Sequence, residues 1–312
     1  MYKTEQITDN SYTEIQKLYK LSFNSFHSLD FIEKKYDTQG FGLKNIGLIA
    51  KSEENELAAY YGVFPIVLNY ESEEYLIAQS GDTMTAPNHR KKGLFTKLAK
   101  ETYSLAQSRG VKLIFGFPNE NSYPGFERKL SWEFNGFMQR FTFKIKTVPF
   151  CELTSKFGIL LPLYKSFVKS RIAKYKIEID EIDFDSFNYS SVKGQIKKNK
   201  SFFEYKLSRD NTYVASIEGI QILIKASTHL FIGEVSKIET NQAALLIKCV
   251  KKLARRLGCA KVIFTLSKSH WLFDILSHHA SPTKSLPIGF YLMDDHFNPK
   301  EIQFSNADYD TF

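Results

Sequence analysis

The sequence predicts an α/β fold, a mixed sheet with helices on its faces, and predicts it twice along one chain. Three observations carry this. Strand-like stretches separated by polar turn-type breaks come first. A long amphipathic helix that stops at a glycine follows them. A short, continuously apolar strand and a short helix then complete the set, and the same order returns in the second half. At 312 residues the chain suits roughly two units of about 150 residues. With 43% hydrophobic and 24% charged residues its composition is that of packed cores, which excludes a disordered chain. Aromatic residues at 15% supply those cores with large side chains.

The elements follow in order. Asp9 to Phe26 reads as a helix, with Ile15, Leu18, Tyr19, Ser22 and Phe26 at helical spacing and Thr8, Asp9 or Asn10 as its cap. Phe31 to Tyr36 reads as a second, short helix. Ile46 to Lys51, Glu56 to Leu68 and Glu74 to Met84 read as three strands joined by antiparallel turns. Thr85 to Gly93 is a polar, basic loop. Gly93 to Arg109 is a helix with Leu94, Leu98, Leu105 and Ala106 on one face and Gly110 as its stop. Val111 to Phe117 is a buried strand, Gly125 to Leu130 a short helix and Phe134 to Lys146 a further strand.

Residues 149–200 change character, with Lys-rich stretches at Lys165 to Lys176 and Lys193 to Lys200 around the acidic run Glu178 to Asp185, and read as a connecting segment. From Ser201 the strands Thr212 to Ser216, Ile220 to Ala226 and Leu230 to Ile238 precede the helix Asn241 to Leu257, the strand Lys261 to Leu266 and the short helix His270 to Ser277. The repeat is one of architecture, without strong identity. The expected domains are therefore 1–148, a connection over 149–200, and 201–312.

The formal net charge of +8 raises the local concentration of anionic ligands, among them nucleic acid, acidic membranes and polyphosphate cofactors. The charge is spread over many segments, as on an ordinary solvated surface. Cys151, Cys249 and Cys259 are odd in number and lack CxxC spacing, which argues against a disulfide framework or a zinc site and for small buried residues. The start of the sequence lacks a signal-peptide pattern, and no apolar run approaches the roughly 20 residues of a membrane span. The expectation is a cytoplasmic protein without a bound metal.

The stretch that carries chemistry is Asp82-Thr-Met-Thr-Ala-Pro-Asn-His-Arg-Lys-Lys-Gly-Leu-Phe-Thr96. A strand runs into a basic loop that opens a helix. Such a helix start offers unpaired amides and a positive dipole end to phosphate. Gly93 lets the backbone approach a pyrophosphate, Arg90, Lys91 and Lys92 add charge, and Thr96 adds a hydroxyl. The spacing is neither GxxxxGK[ST] nor GxGxxG. His89, beside Arg90, reads as an exposed loop residue.

This stretch resembles the acetyl-CoA motif of the GNAT (GCN5-related) acetyltransferases, R/Q-x-x-G-x-G/A. Arg90, Gly93 and Leu94 match, Pro87 fits three residues earlier, and Phe95 departs from the last Gly or Ala. The segment Leu113 to Tyr123 followed by Phe126-Glu-Arg-Lys-Leu-Ser-Trp132 is similar to the family's segment after the CoA-binding helix. The likeness covers residues 1–145 and leans toward a subgroup found with surface-polysaccharide biosynthesis. It implies a GNAT-like first unit and a second, degenerate one.

The resemblance implies that acetyl-CoA lies in a V between the strand ending near Thr85 and the strand Val111 to Phe117. The backbone of Met84 and Thr85 then pairs with the pantetheine arm, and the amides of Lys91 to Thr96, with Leu94 and Phe95 between them, hold the pyrophosphate. An amine attacks the thioester directly, without a covalent enzyme intermediate, and the implied acceptor is an amino sugar on a nucleotide or lipid carrier. Asp82, at the end of its strand, is the first candidate base, and Glu120 the second. The family's tyrosine acid falls near Phe126 or Glu127 here, and Tyr123 is its candidate substitute. Asn119 and Asn121 could bond the cofactor or a sugar, or shape the turn. Two other readings stand beside this one. One is a tRNA-dependent aminoacyl transferase built from two GNAT-like units, which the basic composition suits and the Arg90 to Gly93 loop opposes. The other is a non-catalytic CoA-binding module. His270, His278, His279 and Asp274 show no metal spacing and read as structural.

Overall fold

A computed structural model describes residues 1–156 and 160–312. The chain divides into two units, one of Met1–Gly136 with Leu286–Pro299 and one of Phe137–Ser285 with Lys300–Phe312. Each is thus assembled from two stretches of sequence. Residues 149–200, expected as a connection, fall in the second unit, and 157–159 of them lie outside the described residues.

The first unit opens with β1 (Tyr2–Gln6), α1 (Tyr12–Phe23) and α2 (Leu29–Tyr36), continues through β2 (Ile46–Ser52), β3 (Leu57–Tyr70), β4 (Glu73–Thr85), α3 (Leu94–Ser108), β5 (Leu113–Gly116) and α4 (Tyr123–Leu130), and reaches the start of β6 (Glu133–Lys144). β1 to β4 are antiparallel neighbours, β4 and β5 are parallel, and residues Gly289–Leu292 add an antiparallel partner to β5. Local sequence explains the helices. In α1 the residues Tyr12, Ile15, Leu18 and Tyr19 form the buried face, and the helix ends where Asn24 takes a left-handed conformation. Ser28 caps α2 by accepting from the Phe31 amide. Strand alternation sends Tyr60 and Phe64 of β3 into the core beneath α1 and α2, and Tyr61 and Val63 into the core beneath α3 and α4. The sheet is therefore covered on both faces, and β4 lies within it.

The second unit takes up the rest of β6 and contains α5 (Phe150–Lys156), α6 (Leu161–Ile172), β7 (Gly194–Ile196), α7 (Lys200–Leu207), β8 (Thr212–Ile217), β9 (Ile220–Ala226), β10 (Leu230–Val235), α8 (Ala243–Arg256), β11 (Lys261–Leu266), α9 (Leu272–Ser277), the start of β12 (Thr283–Leu292) and β13 (Ile302–Gln303). β8, β9 and β10 are antiparallel, β10 and β11 parallel, and β11 pairs antiparallel with the Gln139–Lys144 part of β6. The order strand, strand, strand, long helix, strand, short helix repeats that of the first unit, as the sequence pattern predicts. Leu246, Val250 and Leu253 of α8 pack into its core with Phe141, Ile222 and Phe264. Cys151, Cys249 and Cys259 are buried free thiols. Among the described residues no helix is long and apolar enough to cross a membrane, and no group of three or more His, Cys, Asp and Glu residues is placed to hold a metal.

A forked strand pair and a basic helix start

β4 is the strand on which the site is built. Its register with β3 runs Gly62↔Gly81 and then Tyr60↔Met84, so Asp82 and Thr83 together face Tyr61. This is a β-bulge, the device that re-aims one side chain and bends its strand. Asp82 takes the left-handed conformation, φ 55°, which Asp tolerates better than most residues. The parallel ladder to β5 holds Ala78↔Ile114 and Gln79↔Phe115. β5 then ends at Gly116, which is packed so closely that a Cβ there would lie 3.2 Å from Trp132 and 3.4 Å from the Ser80 carbonyl oxygen. β4 meanwhile runs on to Thr85. Past Gln79 the edge of β4 that faced β5 can offer its backbone to an extended ligand.

The chain leaves this edge through the short turn Pro87–His89 and enters α3. Lys91 at φ 63° and Gly93 at φ 77° both sit in the left-handed region, which folds the loop back and places Gly93 as the helix cap. The first-turn amides of α3 have no intrahelical acceptor and point with the positive dipole end out of the helix. Lys91 and Lys92 are exposed beside them. Leu94 is buried in the α3 core, and Thr96 is partly exposed on the first turn. Arg90 is engaged differently from its neighbours. Its Nε donates to the Thr85 carbonyl and an Nη to the Ser22 carbonyl, each at 3.2 Å, tying the loop to the last turn of α1. His89, expected to be exposed, is buried. The Tyr2 hydroxyl lies 2.9 Å from its Nδ1, and Glu56 lies 3.5 Å from its Nε2.

Phe95 stands where the motif has a small residue, and its ring packs against residues of β3 and α4. It lies edge-on to Phe126 at 5.2 Å and 5.8 Å from the ring of Tyr61, over Gly125 of α4. The departure from the motif therefore fills the space between α3 and α4.

At the bulge the Asp82 carboxylate meets two consecutive residues of α2. Lys35 Nζ lies 2.6 Å from Oδ1 and the Tyr36 hydroxyl donates to Oδ2 at 3.0 Å. The side chains of Lys35 and Asp82 are 2% and 9% exposed, so this ion pair is shielded from water. Burial, and then the Asp82 charge, hold the Tyr36 phenol well above its usual range, which keeps it a neutral donor. Sequence reasoning missed Lys35 and Tyr36. Lys34 and Lys35 stand side by side at the end of α2, and only the fold separates Lys34, which reaches an exposed Asp30, from Lys35, which turns inward.

The other arm is less enclosed. The Asn119 side-chain oxygen accepts from the amides of Asn121 and Ser122, which spends it on the turn that starts α4. Glu120 is exposed. Tyr123, at the first turn of α4, packs its ring 4.3 Å from Phe134 and donates its hydroxyl to Glu127 at 2.7 Å. That hydrogen bond raises the phenol above its ordinary value.

Residues 3–135 match the family model described as an acetyltransferase (GNAT) domain. The fold is GNAT-like. The matched stretch thus covers the bulge, the forked pair and the start of α3. Among solved structures, a GCN5-related N-acetyltransferase from Kribbella flavida is similar over 94% of this chain and 72% of its own, with TM-score 0.62 and 15% identity. One from Anabaena variabilis covers 94% and 73%, with TM-score 0.58 and 13% identity. N-myristoyltransferase from Saccharomyces cerevisiae, solved with myristoyl-CoA, covers 93% and 82%, with TM-score 0.58 and 10% identity. At these identities the likeness is one of fold, and it extends over both units. No protein of curated function matches the sequence.

The second unit has a counterpart of the bulge but not of the site. The register of β10 with β9 shifts between Ile232 and Glu234. Glu234 is fully buried, 3.4 Å from His270 and 3.9 Å from Lys198. Burial acts to raise its carboxyl, and His270 and Lys198 outweigh that and hold it below the usual range. Helix α8 starts after Thr240–Gln242, without a basic glycine loop.

Proposed function

We propose that the GNAT domain binds acetyl-CoA along the open edge of β4 and transfers its acetyl group to an amine by direct attack. The observation that carries this reading is the fork. The β4–β5 ladder ends at Gln79↔Phe115 while β4 continues through a bulge that presents Asp82 and on to the start of α3. In this reading the backbone of Met84 and Thr85 pairs with the pantetheine amides. The amides from Lys91 to Thr96 hold the pyrophosphate, with Lys91 and Lys92 supplying charge and Arg90 bracing the loop. Asn119, across the fork, offers its carboxamide NH2 to the cofactor.

Asp82 accepts the proton that the attacking amine must lose. Tyr123, kept protonated by its bond to Glu127, donates to the departing thiolate. In this reading Glu120, which is exposed, draws in a cationic acceptor. The acceptor class in this reading is an amino sugar on a nucleotide or lipid carrier, as the resemblance of the stretches Asp82 to Leu98 and Gly116 to Trp132 implies.

The test is calorimetric titration of acetyl-CoA into the protein and into Gly93→Glu, followed by thiol release with amino sugars. The native protein should bind and the variant should not, because a carboxylate at the helix start repels the pyrophosphate. Failure of the well-folded native protein to bind acetyl-CoA overturns the proposal and favours tRNA-dependent aminoacyl transfer. Binding without turnover on any amine marks a non-catalytic CoA-binding module.

A further inference from the structure

We infer that Lys35 is a positioning residue for the acyl transfer, with Tyr36 as its helper, and that together they aim the Asp82 carboxylate. The inference rests on the acetyl-transfer reading above. Two consecutive residues in the last turn of α2 reach one carboxylate and take one oxygen each, Lys35 on Oδ1 at 2.6 Å and Tyr36 on Oδ2 at 3.0 Å. An ionised carboxylate has about four acceptor positions. These two bonds use one on each oxygen and fix the plane of the group, leaving the others for a substrate N–H. The bulge alone does not do this, because a left-handed Asp on a bent strand still has side-chain torsions to choose from.

The other groups that face Asp82 do not substitute for Lys35. Tyr60 of β3 and Tyr36 are both raised in pKa, first by burial, and so remain neutral. Tyr19 of α1 lies 3.5 Å from Lys35 Nζ. His27, in the turn between α1 and α2, stacks on Phe31 at 4.5 Å, and burial lowers its pKa. Phe64 lies 5.1 Å beneath the ammonium. Lys35 is thus the cation at the bulge. A contact that only joined α2 to β4 would cost less as an apolar one, since removing two charges from water is expensive. A buried ammonium on a carboxylate that borders the open strand edge is instead suited to holding that carboxylate in one orientation.

The experiment follows CoA release from acetyl-CoA with D-glucosamine as the amine probe, and acetyl-CoA affinity by calorimetry, on the native chain, Lys35→Met, Lys35→Arg and Tyr36→Phe. The expected result is a fall in kcat of about 10²-fold in Lys35→Met with KM for acetyl-CoA unchanged, as for a misplaced catalytic group. Lys35→Arg should recover part of it, and Tyr36→Phe should lose roughly tenfold. If Lys35→Met fails to fold, the other two variants decide. Native kcat in Lys35→Met, or in both Lys35→Arg and Tyr36→Phe, overturns the role of Lys35 alone. A rise in KM for acetyl-CoA at unchanged kcat also overturns it. No turnover of the probe by a native protein that binds acetyl-CoA overturns the acetyl-transfer reading with this probe and the role of Lys35 with it.

Discussion

The ring of Phe95 occupies the space into which a Cβ on Gly125 would project, 2.9 Å from Phe95 Cε1. A motif position that usually holds a small residue and a glycine on the neighbouring helix have exchanged their volumes. Gly125→Val should therefore destabilise the first unit by about 1–3 kcal/mol through overpacking. In a Phe95→Ala background the same change should cost little, because the cavity left by the ring accepts it. Denaturant unfolding of the two single variants and the double variant measures this coupling. Simple additivity would show that the two positions do not share space.

Lys91 separates folding from binding. It holds φ 63°, where a residue with a Cβ is strained by roughly 1–2 kcal/mol. Lys91→Gly should relieve that strain, and raise or at least keep the melting temperature, while removing one positive charge from the start of α3. Acetyl-CoA affinity should fall modestly, and the fall should shrink as salt is raised. A variant that is both less stable and unchanged in affinity contradicts the placing of Lys91 beside the pyrophosphate.

These positions also show what the sequence made legible. The run from Glu56 to Arg109 was readable because apolar periodicity, turn residues and the Gly110 stop agree there, and the structure places β3, β4 and α3 within a few residues of the expected limits. β1 was not readable, since Tyr2–Gln6 is an edge strand with only partly buried side chains and no apolar alternation. The neighbour of β5 was not readable either. It is Gly289–Leu292, and no local pattern says that a strand closing the first unit is encoded far along the chain. At the site, the strand–loop–helix of Asp82 to Thr96 could be seen in the residue types. The partners of Asp82 could not, because Lys35 and Tyr36 reach it only through the packing of α2 on the sheet.

Removing one member of the Lys35–Asp82 pair should damage the fold more than removing both. Asp82→Asn tolerates the left-handed backbone of the bulge but leaves the Lys35 ammonium buried without its counter-charge, at a cost of about 3–5 kcal/mol. Lys35→Met in the same chain withdraws that stranded charge. The double variant should therefore be more stable than Asp82→Asn by more than about 1 kcal/mol. Urea unfolding of the four proteins gives the coupling directly, and a double variant as weak as the sum of its parts would argue that the pair is not a closed electrostatic unit.

In the second unit Lys206 sets a pH dependence whose sign is fixed by its surroundings. It is buried on α7, donates to the Tyr309 carbonyl at 2.8 Å and lies 5.6 Å from the ring centre of Phe202. Burial, followed by the Arg209 cation, pushes its pKa well below the usual lysine range. Between that lowered value and the unfolded value the folded chain binds fewer protons than the unfolded one. The Lys206 contribution to stability therefore rises with pH across this window and is least favourable below it. Lys206→Met removes the term. Its stability relative to the native protein should be greater at pH 7 than at pH 10, and should decline as pH rises between the two. Paired urea titrations at the two pH values measure the difference. A difference that stays constant with pH would mean that Lys206 keeps its proton on folding, with the charge held by Asp308 and Asp310, whose fields raise its pKa.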